Sequence, residues 1–250
     1  METMISETAV GNTALDARVA SAHRLLAHIA ADYAPAVFMT SFGAEDMVLF
    51  DLIAAHPDRA ALKAISIATL DTGRLPDETY QLWQKSVDQY GRKVESYFPQ
   101  APKVEQFVRI NGINAMYESV AQRKECCHIR KVEPLKRALS GKKAWITGLR
   151  RAQAVTRKDL PISEYDIDHG LEKFNPLADW SEQELWDYIR TRSVPYNALH
   201  DKGYPSIGCA PCTRAIQPGE DIRAGRWWWE NADSKECGLH VRDPGEETVA

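Results

Sequence analysis

The sequence contains no long apolar run, no excess of positive charge and no internal repeat. No apolar segment approaches the ~20 residues that a membrane-spanning helix needs, which argues against a membrane protein. The net charge is −4, which argues against bulk binding of nucleic acid. Residues 1–19 are polar and acidic and lack the apolar region of a signal peptide. We therefore expect a protein that is not exported, in the cytoplasm.

Cysteine is scarce, and its number is odd. The five cysteines are Cys126, Cys127, Cys209, Cys212 and Cys237. An odd number in a chain without an export signal argues against a disulfide framework. Reduced thiols are better explained by metal ligation or by catalysis.

The composition is that of a globular protein with an ordinary core, since 44% of the 250 residues are hydrophobic and 26% are charged. We expect one nucleotide-binding and cluster-binding domain over residues 1–230. Residues 231–250 are polar, contain Gly and Pro and carry few core residues, which predicts a mobile tail.

Buried strands and helices alternate in the first part of the chain. We predict strands within residues 35–43, 62–73, 94–99 and 143–150, and helices over 44–56, 76–91 and 132–139. This alternation predicts an α/β fold with a doubly wound, mostly parallel sheet. Ligands bind beyond the carboxyl ends of such strands, which brings together the loops Ser41–Asp46, Asp71–Pro76 and Gly148–Arg151.

The pattern changes after about residue 161. Residues 172–180 predict a short strand and a turn. Residues 181–192 predict a helix with Ser181 as N-cap and Glu184 three residues later. From Val194 onward the chain is rich in loops, and we expect Trp227, Trp228 and Trp229 to pack in the core.

Two pairs of cysteines predict a metal site. Cys209 and Cys212 form a CxxC motif, for which zinc, an iron–sulfur cluster and a redox dithiol are the three interpretations. Cys126 and Cys127 are adjacent and have charged neighbours, which is unusual for core residues. Tandem cysteines are a poor zinc signature, whereas a cubane cluster offers a separate iron to each thiolate.

The fifth cysteine, Cys237, lies in the polar motif E-C-G-L-H with Lys235 and His240 nearby. An exposed cysteine beside cations reacts more readily as a thiolate, so Cys237 is a candidate nucleophile; an incidental surface thiol is the alternative.

These motifs together resemble the cluster-containing assimilatory adenylyl-sulfate (APS) reductases, within the PAPS/APS reductase family. The resemblance is carried by the tandem cysteines, G-C-A-P-C at 208–212 and E-C-G-L-H at 236–240, with T-S-F-G-A-E-D, L-D-T-G-R-L-P-D-E-T, K-F-N-P-L-A-D-W and G-R-W-W-W-E in the family's order. It implies the adenine nucleotide alpha hydrolase-like version of the fold, with a loop-rich C-terminal region that binds the cluster. It covers residues 37–240, most of the chain.

The resemblance also implies a mechanism. A [4Fe-4S] cluster would be held by Cys126, Cys127, Cys209 and Cys212, and Cys237 would attack the sulfur of adenylyl sulfate, leaving an S-sulfocysteine. If four cysteines hold the cluster, no resolving cysteine remains, so the reductant is another molecule, such as reduced thioredoxin or a glutaredoxin-like protein. We expect the cluster to have a structural and electrostatic role. The family often forms homo-oligomers, and no membrane or nucleic-acid partner is implied.

Basic residues are the candidates for binding the anionic substrate. From their positions we select Lys131, Arg150, Arg151, Arg157, Arg223 and Arg226. The resemblance implies that Lys131 links cluster and substrate and that Arg157, Arg223 and Arg226 meet the phosphosulfate. We place His240, from the motif of Cys237, with them.

Two loops are the candidates for binding the nucleotide. Ser41, Phe42 and Gly43 occupy the position of a phosphate-binding turn. The pyrophosphate loop of adenylating enzymes, S-G-G-x-D-S, is S-F-G-A-E-D here. It lacks the second glycine and the final serine, which favours a nucleotide with one phosphate. Asp71, Thr72, Gly73 and Arg74 either border the nucleotide or form a plain turn.

Two other functions stay open from the sequence. The first is reduction of phosphoadenylyl sulfate (PAPS), because no residue demonstrably rejects a 3′-phosphate. The second is a metal-binding, ATP-dependent adenylating or tRNA-thiolating enzyme. A non-catalytic metal-binding module is a third class, but it leaves Cys237 and the arginines without a role.

Overall fold

The protein is described by a computed structural model over residues 3–153 and 157–230, with side chains described from residue 14 onward. Seven α-helices are described in this part of the chain: α1 (Thr3–Asp32), α2 (Ala44–Ala54), α3 (Asp77–Tyr90), α4 (Ala101–Asn111), α5 (Val120–Cys127), α6 (Glu133–Leu139) and α7 (Glu182–Arg192). The described strands are β1 (Ala36–Thr40), β2 (Ile65–Leu70), β3 (Glu95–Tyr97), β4 (Ala144–Ile146), β5 (Ser163–Asp166) and β6 (Leu171–Phe174).

The six strands form one sheet in the order β3-β2-β1-β4-β6-β5. β1 runs parallel to β2 and to β4, and β4 runs parallel to β6, while β5 is antiparallel to β6. From β1 the chain builds outward to β2 and β3 on one side and to β4 and β6 on the other. The predicted mostly parallel α/β sheet is confirmed, and its strand order reverses between β1 and β4, which is where such sheets bind ligands.

β1 and α2 lie at the centre of the main core. The β1 residues Ala36, Val37 and Phe38 are fully buried, as expected for a central parallel strand covered on both faces. Helix α2 is buried over nine of its eleven residues, from Ala44 to Ile53 with Glu45 as the exception. A helix that is apolar nearly all round is an interior helix. The loop between β1 and α2 is therefore held by two rigid, buried elements.

The chain divides into two compact units, each built from three segments. The first unit contains Met1–Thr69, Asp77–Glu95 and Gly141–His200, and the second contains Leu70–Pro76, Ser96–Ser140 and Asp201–Ala250. The sequence-based division into a domain over residues 1–230 and a tail over residues 231–250 stays a prediction.

The helix predicted over residues 181–192 is confirmed together with its cap. Ser181 Oγ accepts from the Glu184 amide at 3.1 Å, and Glu184 Oε2 accepts from the Ser181 amide at 2.7 Å. This reciprocal pair is a capping box, so the helix start was encoded locally. Ser193 ends the helix in the left-handed region at φ 52°.

Several elements were not predicted. Helix α1 was treated only as a polar N-terminus, although Ala22, Leu26 and Ile29, all buried, recur at helical spacing. Strand β5 has the sequence S-E-Y-D, which carries no apolar alternation, and it forms because its backbone pairs with β6. No helix in the described residues combines the length and the apolar character of a membrane span.

Candidate functional site

The turn after β1, in the first unit, has an unusual backbone at Phe42. Phe42 has φ 58° although it is not glycine, and its side chain is fully buried. A bulky residue is costly in this left-handed region, so the surrounding packing must hold it there. The ring stacks on Trp83, with centroids 5.7 Å apart and an interplanar angle of 25°. The Phe42 side chain belongs to the core, and only its backbone is left to meet a ligand.

Asp46 organises the same turn, and sequence analysis did not assign it a role. One carboxylate oxygen, Oδ2, accepts from the Ser41 amide at 2.6 Å and from Ser41 Oγ at 2.7 Å. Burial raises the pKa of Asp46 to about 6, although hydrogen bonds from Ser41 and from the Gly148 amide oppose this rise. The amide and hydroxyl hydrogens of Ser41 are therefore directed to Asp46.

Gly148 lets the loop after β4 approach the loop after β1. A Cβ added at Gly148 would lie 2.3 Å from Asp46 Oδ1 and 3.2 Å from the Asp46 amide nitrogen. These distances are shorter than van der Waals contact, so only glycine fits. The loops Ser41–Asp46 and Gly148–Arg151 do meet, as predicted from the sheet rule, at the point where the strand order reverses.

Two arginines selected for anion binding have protein partners in this unit. Arg150 is 2% exposed and pairs with Glu45, donating from Nε at 3.0 Å and from Nη2 at 2.7 Å. Arg151 is partly exposed; it donates from Nε to the Leu160 carbonyl at 2.7 Å and forms an ion pair with Asp179. Both guanidiniums therefore form contacts within the protein that connect separate segments of this unit.

Arg157 is half-buried and donates to the Gln153 side chain. Residues 154–156, which separate the two, are not described.

In the second unit, the segment Asp71–Arg74 forms a turn built by side-chain to backbone hydrogen bonds. Asp71 Oδ1 accepts from the Gly73 amide at 2.8 Å, and Thr72 Oγ1 accepts from the Arg74 amide at 3.2 Å. Gly73 has φ 68°, which glycine adopts without strain. This geometry accounts for D-T-G-R as a compact turn, and its role in binding a nucleotide stays a prediction.

The same turn contacts the CxxC loop. Thr72 Oγ1 lies 3.2 Å from Cys209 Sγ, and the Ala210 amide donates to the Arg74 carbonyl at 2.8 Å. Arg74 Nη1 donates to the Ile113 carbonyl at 2.8 Å. Thr72 was predicted to border the nucleotide. Its proximity to the cysteines was not predicted, because no local sequence pattern relates residues so far apart.

The four paired cysteines line one cavity of the second unit. Cys126 and Cys127 end α5, a π-helix over His128–Val132 follows, and Cys209 and Cys212 flank a single helical turn. A π-helix has a widened turn and is frequent at functional sites. All four thiols are buried and free of disulfides. The other lining residues are Arg74, Met116, Arg123, Arg130, Lys131, Pro211 and Trp227.

The thiols of this cavity differ in acidity. Burial raises the pKa of Cys212 to about 12, and the neighbouring Cys209 adds to the rise. Burial also raises the pKa of Cys126, although Arg130 opposes the rise. For Cys209, burial is outweighed by Lys131, the Thr72 hydroxyl and Arg226, so its pKa is lowered. Four thiolates so close together repel each other, and a cationic metal group would stabilise them together.

Four cysteine thiols lining one cavity are a donor set that suits a metal group. Within residues 3–153 and 157–230, no three His, Cys, Asp or Glu side chains are arranged to hold one metal ion. Zinc needs its ligands around one point, whereas a four-thiolate cluster distributes them over separate irons. Trp227 is 1% exposed, lines the cavity, and its Nε1 has no hydrogen-bond partner among the described residues. A sulfide or thiolate of a cluster is a suitable acceptor for such an N–H group.

Arg226 packs tightly beside the CxxC loop. Its side chain is 8% exposed, its Nη1 donates to the Ile207 carbonyl at 3.3 Å, and its guanidinium lies 4.7 Å from the Trp227 ring centroid. A Cβ at Gly208 would lie 2.4 Å from Arg226 Nη2. A side chain at this glycine would therefore displace the buried Arg226 guanidinium, which the sequence pattern did not reveal.

Other predicted residues lie nearby or outside the described chain. Lys131 is half-buried at the cavity, and Arg223 is half-buried three residues before Arg226. Cys237 and His240 lie outside the described residues.

The expectation that the tryptophans pack in the core is confirmed for Trp227, at 1% exposed, and wrong for Trp228, at 40% exposed. Trp228 follows a left-handed residue, Trp227 at φ 43°, which turns consecutive side chains in different directions.

A family model described as the phosphoadenosine phosphosulfate reductase domain matches residues 35–215. The chain belongs to this family. The predicted membership of the PAPS/APS reductase family is thereby confirmed.

Curated relatives in this family carry a more specific name. The adenosine 5′-phosphosulfate reductase of Allochromatium vinosum is 54% identical over 229 residues, which are 92% of this chain and 88% of the relative. The adenosine 5′-phosphosulfate reductase of Burkholderia cepacia is 50% identical over 227 residues, 91% of this chain and 89% of the relative.

Solved structures agree on the fold. A phosphoadenylyl-sulfate (PAPS) reductase from Candida auris, in a phosphate complex, matches with a TM-score of 0.65 at 28% identity, over 78% of this chain and 90% of that one. An FMN adenylyltransferase from Candida glabrata, with FMN and an ATP analogue, matches with a TM-score of 0.54 at 12% identity, over 90% of this chain and 78% of that one. The second likeness shows the fold alone.

Proposed function

We propose that this family member reduces adenosine 5′-phosphosulfate to sulfite and AMP in assimilatory sulfate reduction, which supplies sulfur for cysteine biosynthesis. The observation that carries the proposal is that Cys126, Cys127, Cys209 and Cys212 line one cavity beside Lys131. The relatives named adenosine 5′-phosphosulfate reductase support it, because they are about half identical over nearly the whole chain.

In this proposal the four cavity cysteines hold a [4Fe-4S] cluster. When bound, the cluster supplies a fixed scaffold and a local charge, and the electrons of the reaction come from thiols. Lys131 supplies a positive charge between the cysteines and the substrate anion, since it lowers the pKa of Cys209 and lines the cavity.

Cys237 is the proposed nucleophile. Its thiolate attacks the sulfur of the sulfate group and forms an S–S bond. The bond between that sulfur and the bridging oxygen breaks, and its electron pair stays on the phosphate oxygen of the departing AMP. The enzyme is left with an S-sulfocysteine at position 237.

A dithiol reductant completes the cycle. One thiolate of reduced thioredoxin or of a glutaredoxin-like protein attacks Cys237 Sγ, and sulfite leaves with the electron pair of the S–S bond. The second thiol of the reductant then resolves the mixed disulfide, so the dithiol is oxidised and Cys237 is regenerated. An external dithiol is needed because the other four cysteines are assigned to the cluster.

The nucleotide is assigned to the loops Ser41–Gly43 and Asp71–Arg74, and its phosphosulfate to Lys131, Arg157, Arg223, Arg226 and His240. Arg150 and Arg151 have protein partners, and we assign them to shaping the loop after β4. This division follows from the carboxylate partners of Arg150 and Arg151, Glu45 and Asp179.

The test is parallel measurement of sulfite release from adenylyl sulfate and phosphoadenylyl sulfate, with reduced thioredoxin, on anaerobically purified protein. We expect release from adenylyl sulfate, a brown sample absorbing broadly near ~400 nm, and about four irons per chain. Cys237→Ser should keep the iron and lose transfer of labelled sulfur to the protein. Cys212→Ser should lose the iron. A sample with zinc and no iron, or sulfite production by Cys237→Ser, would contradict the proposal.

Two other functions are outcomes of the same test. The family model and the Candida auris relative favour phosphoadenylyl sulfate as the second candidate substrate, and faster sulfite release from it would establish that alternative. An adenylating or tRNA-thiolating enzyme would instead consume ATP. It is the weaker candidate, because a buried phenylalanine occupies the turn that such enzymes fill with glycine.

We assign the protein to the cytoplasm, because free thiols persist most readily in a reducing compartment. The homo-oligomer and the mobile tail over residues 231–250 stay predictions, which sedimentation and limited proteolysis would check.

A further inference from the structure

A buried ion pair joins the helix of the tandem cysteines to the end of the described chain. Arg123, in α5, donates from Nε to Glu230 Oε1 and from Nη2 to Glu230 Oε2, both at 2.9 Å. The two side chains are 0% and 4% exposed. Glu230 is the last described residue and ends the motif G-R-W-W-W-E, and neither Glu230 nor Arg123 was assigned a role from the sequence.

The burial of this pair distinguishes it from an ordinary surface contact. Arg214 and Glu220, in the same unit, have nearly the same paired geometry, at 2.9 and 2.8 Å, but their side chains are 36% and 33% exposed. An exposed pair contributes little, whereas removing one partner of a buried pair leaves an uncompensated charge. The Arg123 fork therefore holds the Glu230 carboxylate in one position.

Arg123 also contacts the cysteine cavity. Its guanidinium hydrogen-bonds to the Cys127 thiol and lies 4.9 Å from the Trp227 ring centroid. One buried cation thus bridges a proposed cluster ligand and the carboxylate that ends the described chain.

The sequence distance from this anchor to the proposed nucleophile is short. Glu230 precedes Cys237 by seven residues. Seven residues span at most ~25 Å, whatever their conformation. Fixing Glu230 therefore bounds the region that the Cys237 thiol can reach, and places the origin of that region beside the cysteine cavity.

We propose that the Arg123–Glu230 pair is a positioning device that anchors the C-terminal segment to the cysteine-bearing helix, so that Cys237 is delivered to the substrate sulfur. Neither residue touches the reacting atoms in this role; both act through the path of the chain. The inference rests on the proposed function and adds two positioning residues to it.

The test is Glu230→Asp, which keeps the charge and shortens the side chain by one methylene, with Glu220→Asp as the matched control. In single-turnover experiments with sulfur-labelled adenylyl sulfate, we expect labelling of Cys237 at saturating substrate to slow at least about tenfold, because a misplacement of about 1 Å can cost a hundredfold. The apparent dissociation constant of the substrate should stay within about twofold of wild type, since the substrate's own contacts are unaltered. Glu220→Asp should match wild type in both.

Two readouts separate positioning from a merely structural role. Iron per chain and the rate of Cys237 alkylation by iodoacetamide should be unchanged in Glu230→Asp, because neither depends on where the substrate lies. Labelling at the wild-type rate would overturn the inference. So would slower labelling that only tracks lost iron or weakened substrate binding. If Glu230→Asp does not fold, Glu230→Gln, which keeps the length, is held to the same criteria.

Failure of the proposed function has a different result. If wild-type protein transfers no label to Cys237 from adenylyl sulfate, the proposed function fails and the inference fails with it. If wild type transfers label and the Glu230 variants do so equally fast, only the inference fails.

Discussion

The guanidinium of Arg150 donates two hydrogen bonds to a single carboxylate oxygen of Glu45, from Nε at 3.0 Å and from Nη2 at 2.7 Å. This contact ties the loop after β4 to the first turn of α2. It joins the two strand ends between which the sheet reverses its order, so it shapes the floor of the proposed nucleotide site.

We expect Glu45→Gln to lower the free energy of unfolding by about 3 kcal/mol, because it leaves the buried Arg150 charge without a full partner. The neighbouring pair of Arg151 and Asp179 is the control, since its side chains are 36% and 40% exposed. Asp179→Asn should cost less than about 1 kcal/mol. Urea midpoints of the two variants measure the difference. Equal midpoints would show that the Arg150 pair contributes no more to stability than the exposed Arg151 pair.

Asp46 should make stability depend on pH. Its pKa is raised from 3.8 to about 6, so the folded state binds a proton more tightly than the unfolded state. The free energy of unfolding should therefore fall as pH rises from about 4 to about 6, by roughly 3 kcal/mol, and stay level above.

Asp46→Asn removes this titration. The difference in the free energy of unfolding between wild type and variant should therefore shrink or reverse as pH rises from about 4 to about 6. Denaturation midpoints at several pH values measure it. Asp159→Asn, at an exposed position, is the control. Its denaturation midpoint should change with pH as that of wild type does. If the midpoint of Asp46→Asn also changes with pH as that of wild type does, the pH dependence does not come from Asp46.

Gly208→Ala should disturb the CxxC loop. The added Cβ would lie 2.4 Å from Arg226 Nη2 and 2.6 Å from Cζ. The guanidinium must shift, and overpacking of this kind costs about 2 kcal/mol. We expect a lower unfolding midpoint and less iron per chain.

The double variant Gly208→Ala/Arg226→Ala isolates the cause. If the clash is with the guanidinium, removing Arg226 should cost less in the Gly208→Ala background than in wild type. Strictly additive losses would mean that the glycine is needed for another reason.

Thr72→Val should weaken binding of the proposed cluster in the cysteine cavity. The change keeps the shape and removes the hydroxyl that lies 3.2 Å from Cys209 Sγ. Hydrogen bonds to a ligating sulfur stabilise its thiolate form, so iron should be lost to a chelator several-fold faster. Thr79→Val is the control, because Thr79 is equally buried and accepts a hydrogen bond from Asn197 at 3.1 Å in the first unit. It should lower stability without faster iron loss; equal iron loss in both would argue against a direct effect at Cys209.

Sequence patterns predicted the elements that carry a strong local signal. The apolar run of β1, the buried helix α2 and the capping box of α7 all lie where periodicity and capping place them. Strand β5 and the π-helix His128–Val132 were missed, because neither has a local signature: one forms by pairing with β6, and the other depends on the packing around the cavity.

The sequence by itself determined the chemistry available to this protein: two cysteine pairs, a fifth cysteine in a polar motif, and an α/β order of elements that matches a known family. Only the tertiary structure decided which charges are already paired. Arg150 pairs with Glu45 and Arg123 with Glu230, and neither partner is visible from spacing along the chain. The reason is physical: periodicity and motifs are local properties, while a buried charge takes whichever partner the packing of distant segments brings within hydrogen-bonding distance.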